Sequence, residues 1–183
     1  MSNIEKMIVE TESWVKKVIV KYNICPFARK EVERGSIRYC VVEQSKTEDV
    51  LLELIKECEY LTNNSETETT LFIIPNGFES FHDFLDLVDM ANDLLFDQAL
   101  EGIYQLANFH PDYCFAGEPQ QDAANYTNRS PYPCLHIIRE ESMEKALDAH
   151  PDPDAIPERN IAFCRNKGGA FFADLLAGCM NKK

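Results

Sequence analysis

Basic residues are scarce in this chain. Against 31 Asp and Glu stand 18 Lys and Arg, a formal net charge of −13 over 183 residues. Nucleic-acid binding needs clustered Lys and Arg to replace counterions along the phosphates, so a broad nucleic-acid footprint is excluded. An anionic membrane surface is excluded as a partner on the same ground. Long apolar runs are also missing, and nothing approaches the length of about 20 residues that crosses a bilayer. The seven cysteines stand at 25, 40, 58, 114, 134, 164 and 179, with no Cys-x-x-Cys pair. No Gly-rich phosphate loop follows a strand-like run, which argues against an ordinary nucleotide-binding role. No Gly-x-Ser-x-Gly elbow is present either. The start of the chain lacks a charged segment followed by an apolar one, so no secretory signal is expected. An odd number of cysteines then fits free thiols in a reducing cytoplasm better than a disulfide framework.

What is present is an ordinary globular balance, 45% hydrophobic and 27% charged, long enough for one domain over residues 1–183 with a sizeable core. Apolar residues recur at helical spacing from 4 to 22, where Asn23 can end the helix in a left-handed conformation. Pro26 suits the first turn of a second helix running to about Arg34, with Cys25 at its N-cap and Gly35 as its stop. Ile37 to Glu43 alternates like a strand. Ser45-Lys46-Thr47-Glu48 resembles a capping box, opening a helix with Leu51, Leu54, Ile55, Cys58 and Leu61 on one face. Thr70 to Ile74 is continuously apolar, as in a strand covered on both faces. A long helix follows from about Ser80 to Leu100, then a strand from Ile103 to Phe109. Two βαβ units with a fourth, returning strand at Leu135 to Arg139, whose direction the sequence does not fix, imply an α/β domain. Its expected architecture is a mixed, mostly parallel four-stranded sheet with helices on both faces. Shorter helices close the chain after Glu141 and Pro157.

Between the third and fourth strands lies a long polar loop, residues 111–134. Its density of Asn, Asp, Gln and Tyr is high for irregular chain in a compact domain, which marks it as the expected functional loop.

Cys25-Pro26-Phe27-Ala28, His110-Pro111-Asp112-Tyr113, Asn125 to Pro133 (NYTNRSPYP) and Leu135 to Glu140 (LHIIRE) resemble the bacterial and plant proteins grouped as domain of unknown function 1415. The resemblance covers almost the whole chain, including Ile156 to Asn160. It implies no particular activity, so function has to be argued from the residues.

Cys25 is the first candidate for chemistry. A thiol at a helix N-terminus near Arg29 and Lys30 is expected to favour the thiolate and act as a nucleophile. The competing role is packing. His110 and His136 are the candidate acid–base pair. His136 shares one strand face, while Leu135, Ile137 and Arg139 share the other. Arg129 and Ser130, with Arg29, Asn125, Asn128, Asp122 and Arg139, can bind an anionic substrate through a planar guanidinium fork and neutral donors. The same groups can instead hold the loop to itself. Two metal sets are conceivable, His110, Cys114, Cys134 and His136, or His110, His136 and Asp122, but the spacing matches no standard zinc motif. In open α/β sheets ligands bind beyond the carboxyl ends of the parallel strands, which puts the expected site near His110. The expected function is therefore a small enzyme acting on an anionic small molecule. The alternatives are a metabolite- or metal-binding module without turnover, and an interaction module. The last would need Phe109, Tyr113, Phe115, Tyr126 and Tyr132 as an exposed rim. The sequence names no cofactor and no oligomeric state.

Overall fold

The structure, a computed structural model, describes residues 1–180. Helix α1 (Asn3–Trp14) opens with a reciprocal capping box. Ser2 Oγ accepts from the Glu5 N–H, and the Glu5 carboxylate accepts from the Ser2 N–H. The chain then widens into a π-helical turn, Val15–Val20, closed by Asn23 at φ +55°. The expected single helix over 4–22 is thus two kinds of helix, and Asn23 stops them as its short side chain allows. Helix α2 covers Ala28–Arg34 with Phe27 at its N-cap and Gly35 at φ +66° as its stop. Cys25 therefore precedes the cap by two residues rather than occupying it.

Strand β1 (Ile37–Val41) leads to α3 (Thr47–Asn63), β2 (Thr69–Ile73), α4 (Phe81–Asp97) and β3 (Tyr104–Phe109). The expected Ser45 capping box does not form; α3 is capped by Lys46 without a side-chain hydrogen bond. Helix α4 is capped by Ser80, whose Oγ accepts from the Asp83 N–H. In the turn after β2, Gly77 sits at φ +84°, where a Cβ would run into the Ser45 carbonyl, so glycine is required there. A 3₁₀ turn (Ala123–Thr127) interrupts the long loop. Strand β4 (Cys134–Arg139), α5 (Glu140–Asp148), α6 (Ala155–Lys167) and α7 (Gly169–Met180) complete the described residues.

The sheet order is β1-β2-β4-β3. β1 runs parallel to β2, while β4 is antiparallel to both of its neighbours. The first three strands do point the same way, as two βαβ units require. The sheet is nevertheless not mostly parallel in its pairing, because β4 returns between β2 and β3 instead of at an edge. It takes the hydrogen bonds those two strands would otherwise have exchanged.

Helices cover both faces of the sheet. On one, α3 and α4 pack Val50, Leu54, Cys58, Leu61, Phe84, Leu87, Ala91 and Leu95 against Phe72, Leu135 and Ile137. Alternation along the strands sends Leu71, Ile73 and Cys134 to the other face, beneath α1, the π turn, α6 and α7. No helix among the described residues is long and apolar enough to cross a membrane.

Candidate functional site

The second face is not filled. Between the sheet and the layer made by the π turn, the Ile24–Ala28 segment, α5 and α6 lies a cavity of about 850 Å³. Its floor follows from strand pairing. Ala107 of β3 and Leu71 of β2 flank His136 of β4, and Thr69 pairs with Ile138. Residues paired across neighbouring strands share a face, so these side chains, with Ile37 and Phe109, make one continuous surface. Trp14, Val15 and Ile19 form one wall, Cys25 to Ala28 another, and Met143, Ala146, Ile156 and Ile161 the cover. Lys30 and Lys145, 74% and 72% exposed, mark where the cavity meets solvent.

The cavity extends toward the amino ends of β1 and β2, where Ile37 and Thr69 are the first strand residues. The sequence placed the site at the opposite, carboxyl edge. The rule behind that expectation needs a crevice between diverging parallel strands. Here β4 closes that gap, and the long loop seals the edge. The Ile74 N–H bonds to the Pro133 carbonyl, and the His110 N–H bonds to the Asn128 carbonyl.

His136 is the most polar group of the floor. Its Nε2 lies 2.7 Å from Thr69 Oγ1. The Thr69 hydroxyl has one proton, and it donates it to the Ile137 carbonyl at 2.5 Å. Both contacts are satisfied together only when Thr69 accepts from the ring, which assigns the proton of the neutral imidazole to Nε2 and leaves Nδ1 with a bare lone pair. No side chain or backbone group bonds to Nδ1 among the described residues. Burial pushes the His136 pKa down to about 4, so the ring is neutral at pH 7.

Cys25 borders the same cavity. Its segment is clamped from α6. Asn160 Nδ2 donates to the Ile24 carbonyl at 2.7 Å, and Arg159 donates to the carbonyls of Tyr22 and Asn23. Burial raises the Cys25 pKa, and the backbone N–H groups of Phe27 and Ala28 only partly oppose it. The expected thiolate is thus not favoured, because desolvation outweighs the dipoles. Arg29 points away, to the Val20 carbonyl. The indole N–H of Trp14, in the cavity wall, is buried without a partner.

The remaining sequence candidates are placed elsewhere. His110 lies on the other face between Phe81 and Phe84. Its Nδ1 accepts from the Asp112 N–H at 3.0 Å and its Nε2 donates to the Phe78 carbonyl at 2.9 Å. With both nitrogens engaged and the two rings on opposite sides of the sheet, His110 and His136 are not a pair. Arg129 donates to the carbonyls of Tyr113 and Gln120 and covers the Tyr126 ring at 4.6 Å. Asn125 bonds to the Phe115 N–H and to the carbonyls of Pro119 and Gln120. Ser130 donates to the Tyr132 carbonyl. Asp122 caps the 3₁₀ turn and pairs with Arg165, which holds its carboxyl down at about 2. Asn128 borders the cavity, but its amide bonds to the Asn108 carbonyl. Arg139 also borders it, yet its guanidinium donates to the carbonyls of Leu61, Asn64 and Thr67 at the end of α3.

The loop is therefore held by its own side chains, and it lends the cavity only Phe115, Thr127 and Asn128. Phe109, Tyr113, Phe115, Tyr126 and Tyr132 are all half-buried. The donors considered for a metal do not gather. Among the described residues the only cluster close enough to share an ion is the exposed His82, Asp83 and Asp86. Sequence reasoning missed Thr69, Trp14 and the inner side of α5. The faint signal was Thr69 in register with Leu71, two residues apart on one strand face.

Residues 6–174 match the model of a family described as a protein of unknown function (DUF1415). The chain belongs to this family. No curated protein and no solved structure matches the chain. Two of the family-like motifs named above meet at the cavity, Cys25 to Ala28 and the Ile156 to Asn160 segment, and His136 of a third lies in its floor.

Proposed function

We propose that this protein binds an apolar small molecule in the cavity above His136. The observation that carries the reading is the cavity itself. About 850 Å³ of space, open to solvent on one side, lies against this face of the sheet, and it is lined mostly by Trp, Phe, Ile, Leu, Val, Met, Ala and Pro. That volume is within the range of small-molecule sites, about 300–1,000 Å³. Protein interiors otherwise pack with few voids larger than a water molecule.

The chain's single tryptophan, Trp14, is in the cavity wall. Its fluorescence therefore reports occupancy directly. Native mass spectrometry of the purified protein, followed by organic extraction, is the first test. An apolar compound released on denaturation, whose return shifts the Trp14 emission, supports the reading. Emission that no apolar compound alters, with no compound released on denaturation, would sink it.

A second reading is an enzyme on the same compound. It is favoured because Cys25 and His136 border one cavity, a protonated thiol and a neutral base. Conversion of a bound compound that stops in Cys25→Ser and His136→Phe, with binding retained, would establish it. Unchanged turnover in both variants removes it. Arg129 offers no anion clamp in this reading, because its guanidinium is spent on backbone carbonyls.

A further inference from the structure

Resting on the reading that the cavity is a ligand site, we propose that its ligand is a neutral molecule with a phenolic or enolic hydroxyl on an apolar body, and that His136 Nδ1 accepts the proton of that hydroxyl in a hydrogen bond.

Three polar side chains beside the floor and wall, Thr69, Asn160 and Asn128, are engaged within the protein. Thr69 accepts from His136 Nε2 and donates to the Ile137 carbonyl, so its one proton is spent. Asn160 donates to the Ile24 carbonyl and accepts from Arg159. Asn128 donates to the Asn108 carbonyl and accepts from the Thr127 hydroxyl. Each has used the bonding capacity that would otherwise select a ligand. His136 Nδ1 is different. It is an acceptor on the floor with no partner in the protein, and the Nε2–H bond to Thr69 selects the tautomer that leaves its lone pair free. Nδ1 faces the cavity and not a protein partner, so a ligand that covers it without a donor forfeits the hydrogen bond water would make there, at a cost of about 1–3 kcal/mol. Discrimination against a ligand without the donor follows from that asymmetry.

Charge decides that the ligand is neutral. The lysines of the lining, Lys30 and Lys145, are at the exposed mouth and each stands beside a carboxylate, Glu31 at 3.8 Å and Glu141. Arg139 is committed to three carbonyls. An anion in the floor would lose its hydration and meet no free cation among the described residues. The aromatic lining of Trp14, Phe27, Phe109 and Phe115 suits a flat ring, and a phenolic hydroxyl donates more strongly than an aliphatic one.

The test uses the full chain and three probes of one shape: 4-hexylphenol, its methyl ether 4-hexylanisole, and 4-hexylbenzoate. Affinities are read at pH 7.5 from Trp14 fluorescence and by calorimetry. The expected order is phenol tightest by about tenfold or more over the ether, with the benzoate weakest. In His136→Phe the phenol falls to the level of the ether, while the ether is little changed. Thr69→Ser keeps the preference because its hydroxyl can make the same two bonds, and Thr69→Val reduces it. The Thr69 variants carry the test if His136→Phe does not fold, as judged by circular dichroism.

Equal affinity for phenol and ether in the native protein overturns the proposal and leaves the cavity as a site. So does a phenol preference that survives His136→Phe. Tightest binding of the benzoate overturns the neutral class. Failure of all three probes to bind overturns the proposal together with the cavity reading on which it rests.

Discussion

The two faces of the sheet carry one histidine each, and the contrast between them separates structural from chemical use of the same side chain. Under α3 and α4, His110 is fully buried with both ring nitrogens bonded to backbone groups and aromatic rings on either side. Under α5 and α6, His136 has one nitrogen bonded to Thr69 and the other facing unfilled space. The first face is a packed core; the second is a packed core at the Ile73 end and a cavity at the Thr69 end. Neither histidine is charged at pH 7, since burial lowers both pKa values. What differs is whether the surrounding chain uses up the ring.

The largest test of this contrast is truncation on each face. Phe84→Ala on the packed face should cost about 3–5 kcal/mol, because the neighbours cannot collapse around the missing ring. Ile138→Ala on the cavity floor should cost about 1 kcal/mol, since that side chain already borders open space. Equal losses in urea denaturation would break the distinction. Next come the histidines themselves. His110→Ala leaves the Phe78 carbonyl and the Asp112 N–H without partners and should cost about 2–4 kcal/mol. His136→Phe should fall within about 1 kcal/mol of the native protein, because it loses one hydrogen bond and gains apolar area. A larger loss for His136 would mean that its role is structural.

Overpacking sharpens the comparison further. Ala91→Phe has no room beneath α4 and should cost about 1–3 kcal/mol. Ala146→Phe projects into the cavity, should leave the melting temperature nearly unchanged, and should abolish the Trp14 response to apolar probes. The smallest effect is on pH dependence. The folded pKa of His136, about 4, lies below its ordinary value of 6.5, so the unfolded chain takes up this proton first. The stability linked to the neutral ring is complete above about pH 6.5 and is lost as pH falls toward 4. His110 acts in the same direction, so the difference between native protein and His136→Phe isolates the term. That difference should be on the order of 1–2 kcal/mol between pH 7 and pH 4.5, with the variant less acid-sensitive. Identical pH profiles would show that His136 is solvated.

Much of the scaffold could be read along the chain. The apolar stripes of α3 and α4, the continuous run of β2 and the stops at Asn23 and Gly35 are local patterns, and local geometry enforces them. The alternation around His136 was legible for the same reason, and it placed His136 and Arg139 on opposite faces. Asn128 and Arg139 do border the cavity, yet their polar groups are spent on the backbone. The loop's polarity was visible, but its purpose was not. Asn125, Arg129 and Ser130 have the chemistry of an anion site and use it on backbone carbonyls and amides, because a buried loop has to satisfy its own polar groups.

By itself, then, the sequence determined an α/β domain, the opposite faces of His136 and Arg139 on the fourth strand, and a shortlist that included Cys25 and His136. Tertiary structure alone decided where β4 is inserted, and with it which edge of the sheet is sealed. It also decided that Thr69, 67 residues away from His136, sets the position of the ring's proton. Such contacts join segments with no local pattern in common, and only the packing of β2 against β4 brings them within reach.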